Sequence, residues 1–188
     1  MRKAVFLDKD GTLIPDIPYS VDPERITLYP EAGEALRRLQ DAGYRLIVVS
    51  NQSGVARGYF EEAQLDGVWQ KITQLLAPFG VRIDGFYYCP NHPGGTVGRY
   101  AVDCDFRKPK PGMLIQAARE HGIDLTRSWM IGDILNDVEA GNRAGCRTLL
   151  VDRGNETEWE PGQFRTPTAT VRSLTEAADH ITPGEKPA

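Results

Sequence analysis

The run Ala4-Val5-Phe6-Leu7, followed at once by Asp8-Lys9-Asp10-Gly11-Thr12, constrains this chain more than any other feature. A segment apolar at every position is buried on both faces, which marks a strand of a parallel sheet. Open α/β sheets hold their ligands beyond the carboxyl ends of the strands, so Asp8 and Asp10 are expected at a reaction site. Two carboxylates this close repel each other, and neither stays ionised in an apolar setting without a cation or donors nearby. The pair therefore asks for a metal ion. The competing reading is a strand end where both acids cap a turn and Gly11 supplies a positive φ.

The rest of the chain alternates in the same way. Pro15 to Pro30 reads as a surface loop, and Glu31 to Ala42 has apolar residues at helical spacing with Gly43 at the stop. Arg45 to Val49 is a strand running into Ser50-Asn51-Gln52-Ser53-Gly54. A helix is expected over about Glu61 to Ala77, a strand over Ile83 to Tyr88, and a long loop over Cys89 to Pro111. Gly112 to His121 is helical, Trp129 to Asp133 repeats the strand-then-carboxylate pattern, Asp137 to Ala144 is a helix and Arg147 to Val151 a strand. The expected fold is a Rossmann-like, doubly wound, mainly parallel sheet with helices on both faces and right-handed crossovers. One domain over residues 1–182 is expected, with a frayed tail over 183–188.

Composition removes several function classes. The 188 residues carry a net charge of −4, so there is no overall basic field for a nucleic-acid backbone, while a small anionic substrate met by local cations remains open. No apolar run approaches a membrane span, and the first strand begins too early to leave room for a signal peptide. Three cysteines, Cys89, Cys104 and Cys146, suit a reducing cytoplasm without a structural disulfide. A monomer acting on a small molecule is expected.

Four strand-end signals occur in order: the Asp8/Asp10 pair, Ser50 with its turn, Lys108 in Arg107-Lys108-Pro109, and Gly132-Asp133 followed by Asp137. This order resembles the haloacid dehalogenase superfamily of phosphatases, over about Val5 to Asp137. The resemblance implies that Asp8 attacks phosphorus to give an aspartyl-phosphate and that Asp10 protonates the leaving alkoxide, then takes a proton from water. It implies Mg²⁺ held by Asp8, the backbone carbonyl of Asp10, and Asp133, with Asp137 behind them orienting Lys108 or a metal-bound water. Ser50, Lys108 and backbone N–H groups near Asn51 would bind the non-bridging oxygens.

Only one helix and one loop fit between Asp10 and Ser50, so no separate cap domain covers the site. Selection then falls to loops: Asp16 and Tyr19, which by analogy with the family bind sugar hydroxyls, the turn with Gln52, Ser53 and Arg57, and Arg107, suited to a second anionic group. Relatives in this family often carry structural zinc on a Cys-x-His and Cys-x-Cys loop. Here Asn91 stands where the histidine is expected, with His92 one place late, and Phe106 stands where the second cysteine of Cys104-Asp105-Phe106 should be. Cys89, His92 and Cys104 are too few for a four-ligand site, and less than one zinc per chain is expected.

The implied activity is Mg²⁺-dependent hydrolysis of the 7-phosphate of a heptose bisphosphate, in the supply of lipopolysaccharide precursors. Histidinol-phosphate phosphatase activity is the enzymatic rival, and a non-catalytic phosphate-binding module is the rival of another class. Retention of both Asp8 and Asp10 disfavours the latter, since binding alone has no use for an acid/base.

Overall fold

The structure is a computed structural model that describes residues 1–184. Six parallel strands form one sheet: β1 (Lys3–Leu7), β2 (Tyr44–Asn51), β3 (Gly85–Cys89), β4 (Trp129–Gly132), β5 (Arg147–Val151) and β6 (Ala169–Val171), in the order β3-β2-β1-β4-β5-β6. The helices are α1 (Ala32–Asp41), α2 (Leu65–Leu76), α3 (Gly112–His121), α4 (Leu135–Ala144) and α5 (Leu174–Ile181).

Alternation along β1 sorts the two layers. Val5 and Leu7 join Leu36, Leu39, Val68, Ile72, Leu174 and Ile181, so α1, α2 and α5 cover one face. Ala4 and Phe6 join Met113, Leu114, Ala117 and Ala140, so α3 and α4 cover the other. Burial on both faces is why β1 is apolar from Ala4 to Leu7. Each fully buried aliphatic side chain adds about 1.5–3 kcal/mol, so this central strand anchors whatever follows Leu7.

The chain winds outward from β1 to β3, then crosses back to β4 and outward again to β6. The order reverses between β1 and β4, and Leu7 pairs with both Val48 and Ile131, so Asp8, Ser50 and Asp133 leave the sheet at the same end. That end of a reversal is where doubly wound sheets open a crevice.

Several boundaries differ from expectation. A 3₁₀ turn at Glu62–Gln64 precedes α2, which starts at Leu65, because Gln64 folds its side chain back to the Glu61 N–H at 2.8 Å. Helix α4 starts at Leu135, earlier than Asp137, because the Asp137 carboxylate accepts the Ile134 N–H and caps the first turn. β6 and α5 extend the sheet and its covering beyond the expected elements. Of the expected tail, Pro183 and Gly184 form a turn and residues 185–188 lie outside the described residues. No helix is long and apolar enough to cross a membrane among the described residues.

Candidate active site

A cavity of about 420 Å³ opens at the carboxyl ends of β1, β2 and β4, lined among others by Asp8, Asp10, Asp16, Tyr19, Asn51, Gln52, Ser53, Lys108, Asp133, Asp137 and Asn155. At its floor the Lys108 ammonium donates to Asp8 Oδ1 at 2.7 Å, Asp137 Oδ1 at 2.7 Å and the Val49 carbonyl at 2.9 Å. An ammonium has three N–H bonds, and all three are used. Burial works against the Lys108 charge, but Asp137 and Asp8 outweigh it, so its pKa is raised and it stays protonated.

The Lys108 backbone is fixed by Asn51, whose Nδ2 donates to Lys108 O and whose Oδ1 accepts from Lys108 N, both at 3.0 Å. Asn51 thus spends its side chain as a two-point clamp between β2 and the loop. Ser50 is 1% exposed and is not on the cavity wall; its Oγ accepts Gln52 Nε2 at 2.7 Å. The same Gln52 amide reaches Asp10 Oδ2 at 3.5 Å, and buried Lys9 donates to Asp10 Oδ1 at 2.8 Å. Asp10 is therefore held between two donors, facing the cavity.

Among the described residues, Asp8, Asp133 and Asp137 form a group whose ligand oxygens all lie within 4.8 Å. Asp137 is already committed: one oxygen takes Lys108, the other accepts the N–H groups of Asp133 and Ile134 at 3.2 and 3.3 Å. Asp133 Oδ2 accepts Asn155 Nδ2 at 2.9 Å. Burial, then the charges of Asp8 and Asp137, pushes the Asp133 pKa up to about 9, and burial and Asp137 raise that of Asp8. Three buried carboxylates against one ammonium leave an excess of negative charge, and oxygen donors alone suit a hard divalent cation such as Mg²⁺. The residues present fit such an ion, with Asp8 and Asp133 facing it and Asp137 behind.

Two glycines make this packing possible. A Cβ on Gly11, where φ is +80, would lie 2.1 Å from Asp133 Oδ2, and one on Gly132 would lie 2.1 Å from the Asp137 Cβ.

The remaining expected residues gather beside the cavity. The Arg57 Nη2 lies 3.3 Å from His92 Nε2, while His92 Nδ1 accepts the Gly94 N–H at 2.9 Å. With Nδ1 accepting, a neutral ring carries its proton on Nε2, so two donors face each other. Burial, Arg107 and Arg57 all lower the His92 pKa. Arg57 Nε and Arg107 Nη1 are buried without a hydrogen-bond partner. Cys104 packs against the cluster that contains buried Cys89, while His92 spends Nδ1 on the Gly94 N–H, and these three side chains do not form a ligand group among the described residues.

Asn155, Lys9 and Thr12, whose Oγ1 lies 3.5 Å from Asp133 Oδ1, were not among the expected site residues. Asn155 was within reach of sequence reasoning: Asp152-Arg153-Gly154-Asn155 directly follows β5 and is a fifth strand-end signal of the same kind.

A HAD-hydrolase-like family model matches residues 105–177. The D-glycero-beta-D-manno-heptose-1,7-bisphosphate 7-phosphatase of Pasteurella multocida is 47% identical over 155 residues, 82% of this chain and 84% of that protein. The enzyme of the same name from Haemophilus influenzae is 48% identical over 161 residues, 85% and 87% of the two chains. A solved D,D-heptose 1,7-bisphosphate phosphatase from B. bronchiseptica, complexed with magnesium and phosphate, superposes with a TM-score of 0.82 at 32% identity, covering 95% of this chain and 97% of that one. With the carboxylate cluster and the parallel sheet, this likeness means that the chain belongs to the haloacid-dehalogenase-like hydrolases, in the family of the heptose-1,7-bisphosphate 7-phosphatases.

Proposed function

We propose that this chain is a Mg²⁺-dependent phosphomonoesterase that removes the 7-phosphate of a heptose 1,7-bisphosphate. The observation that carries the reading is the convergence of Asp8, Asp133, Asp137 and Lys108 on one cavity at the β1/β4 reversal. The names of the relatives supply the sugar.

Asp8 is the nucleophile: its free carboxylate oxygen forms a bond to phosphorus as the phosphorus–oxygen bond to the sugar breaks. Asp10 gives its proton to the departing alkoxide. In the second half it takes a proton from the water that attacks the aspartyl-phosphate, which restores Asp8. The Lys108 bond to Asp8 is the one a non-bridging phosphate oxygen replaces, leaving Asp137 and Val49 to hold the ammonium in place. Asp8, Asp133 and the Asp10 backbone carbonyl would hold Mg²⁺, which would supply the positive charge that two approaching anions need. Asn51 fixes Lys108, and buried Ser50 holds the amide of Gln52, which lines the neighbouring wall.

The unpartnered nitrogens of Arg57 and Arg107, with the donor of His92, support a seat for a second phosphate. Asp16 and Tyr19 face the sugar between the two phosphates. The reading treats residues 1–182 as one domain, working as a cytoplasmic monomer without zinc in the Cys89–Cys104 loop; elemental analysis after chelator-free purification tests the last point.

The deciding experiment is Mg²⁺-dependent phosphate release from heptose 1,7-bisphosphate and from histidinol phosphate, compared as kcat/KM. Preference for histidinol phosphate would overturn the substrate assignment. Replacing Asp10 with Asn tests the chemistry, and unchanged turnover would exclude its acid/base role.

A further inference from the structure

Lys9 stands between the two aspartates of the first motif, buried and paired with the second of them. Neighbours in an extended chain point opposite ways, so an ion pair between residues 9 and 10 needs a turn. The turn is present: the Lys9 carbonyl accepts the N–H groups of Thr12, Leu13 and Ile14 at 3.4, 3.0 and 3.1 Å. It brings the Lys9 ammonium to 2.8 Å from Asp10 Oδ1, at the wall of the reaction cavity.

The place is a poor one for an ammonium. Lys9 is 3% exposed, and Asp10 is its one hydrogen-bond acceptor among the described residues, whereas the equally buried Lys108 has three. Its other support is the Trp69 ring of α2, whose centroid lies 6.0 Å from the Lys9 Nζ and which stacks on Phe86 at 5.0 Å. The Asp10 side chain is 31% exposed, so the loss of hydration falls on the lysine. A buried charge with a single hydrogen bond recovers less than its desolvation costs, and an apolar side chain of similar shape would serve the fold better. What the charge does to Asp10 accounts for it.

We infer that Lys9 is the positioning residue of the acid/base carboxylate. The inference rests on the assignment of Asp10 as acid and base made above. By bonding Oδ1 the ammonium holds the carboxyl group in one orientation and leaves Oδ2, which the Gln52 amide reaches only at 3.5 Å, as the oxygen that exchanges a proton. In the first half Oδ2 gives its proton to the sugar oxygen as the bond from that oxygen to phosphorus breaks, and the negative charge left on Asp10 forms beside a cation already in place. In the second half the same carboxylate takes a proton from the attacking water. Lys9 keeps its own protons throughout. The two buried lysines thus divide the work: Lys108 serves the nucleophile Asp8, and Lys9 serves the carboxylate two places on.

The test is steady-state kinetics of the wild type, Lys9→Met, Lys9→Arg, Asp10→Asn and the Lys9→Met/Asp10→Asn double variant with heptose 1,7-bisphosphate, with inhibition by inorganic phosphate measured for each. Lys9→Met is expected to lower kcat about ten- to a hundredfold, part of what a general acid supplies, while KM and inhibition by inorganic phosphate stay within about twofold. Lys9→Arg, which keeps the charge, should recover most of kcat. Adding Lys9→Met to Asp10→Asn should lower kcat little further, because the lysine acts only through that carboxylate.

Unchanged kcat in Lys9→Met would overturn the inference. So would a loss as large in the Asp10→Asn background as in the wild type, or a parallel weakening of inorganic phosphate, either of which would mean that the lysine only holds the turn together. If Lys9→Met fails to fold, Lys9→Gln, which keeps a donor without the charge, is read by the same criteria. Unchanged turnover in Asp10→Asn would instead overturn the acid/base reading itself, and the inference with it.

Discussion

Asn155 donates to Asp133 at 2.9 Å from a loop that carries none of the four motif residues, and so fixes the carboxylate that stands opposite Asp8. The loop is itself pinned on both sides: Arg153 pairs with Glu31 at 2.5 Å, and Glu156 accepts the Leu135 N–H at 2.7 Å. Groups that orient metal ligands typically govern affinity by about ten- to a hundredfold. Asn155→Ala is therefore expected to raise the Mg²⁺ concentration for half-maximal thermal stabilisation about tenfold, with kcat at saturating Mg²⁺ close to wild type. A Mg²⁺ titration of Tm checks it, and an unshifted midpoint would remove Asn155 from the site.

The same carboxylate makes metal binding depend on pH. Burial, Asp8 and Asp137 push the Asp133 pKa up to about 9, whereas the unfolded chain ionises near 3.8. Between those values the native state holds more protons than the unfolded one, so the stability of the metal-free protein falls as pH rises through the window. A divalent cation displaces that proton, and its stabilising effect grows over the same range. The Tm gain from added Mg²⁺ should be larger at pH 8 than at pH 6. Equal gains would mean that Asp133 is already ionised without metal.

Lys108 is the sole ammonium among three buried carboxylates, and two of them bond to it directly. Removing one partner of a buried ion pair costs about 3–5 kcal/mol because the other charge is stranded. Lys108→Met is expected to lose about 3 kcal/mol in metal-free protein by urea denaturation, and to lose at least about a hundredfold in kcat. Restoration of turnover by Mg²⁺ alone would show that the lysine serves only to balance charge.

The central half of this arrangement was legible because each strand announces its end. Apolar runs in β1, β2 and β4 stop at Asp8, Ser50 and Gly132, and parallel pairing in near-level register turns those sequence positions into one spatial cluster. Helix α3 begins and ends where its apolar spacing and Gly122 place it. β6 was not legible: three residues, Ala169–Val171, carry too short a pattern, and pairing with β5 decides their conformation. Helix α5 did carry a signal, with Ser173 capping the Glu176 N–H ahead of Leu174, Ala177, Ala178 and Ile181. The covered state of Ser50 and the clamp of Asn51 on Lys108 depend on side-chain partners far apart in sequence, which spacing cannot reveal.

Gly132 tests how tightly the cluster is packed. A methyl group there would lie 2.1 Å from the Asp137 Cβ and 2.3 Å from its Oδ2, at the buried end of β4. Gly132→Ala should destabilise by about 2 kcal/mol or more and displace Asp137 from Lys108. Gly98→Ala, where nothing lies within 4 Å, is the control and should be near neutral in the same urea titration.

Arg107 decides between a substrate with one phosphate and a substrate with two. Its Nη1 and the Arg57 Nε are both buried without a hydrogen-bond partner, and burial lowers the Arg107 pKa, with the charge of Arg57 acting in the same direction. Desolvated cationic donors without partners are stabilised by an anion, and a guanidinium takes phosphate oxygens two at a time. A hydrogen bond to a charged group is worth about 1.5–3 kcal/mol, which is roughly ten- to a hundredfold in binding. Arg107→Ala should therefore raise KM for the bisphosphate by that factor while leaving inhibition by inorganic phosphate at the Asp8 site unchanged. Arg107→Lys should recover only part of the loss, because an ammonium cannot reproduce the two-point grip. If Arg107→Ala weakened inorganic phosphate as much as the bisphosphate, the arginine would be serving the reacting phosphate, and the second seat would have to be sought elsewhere.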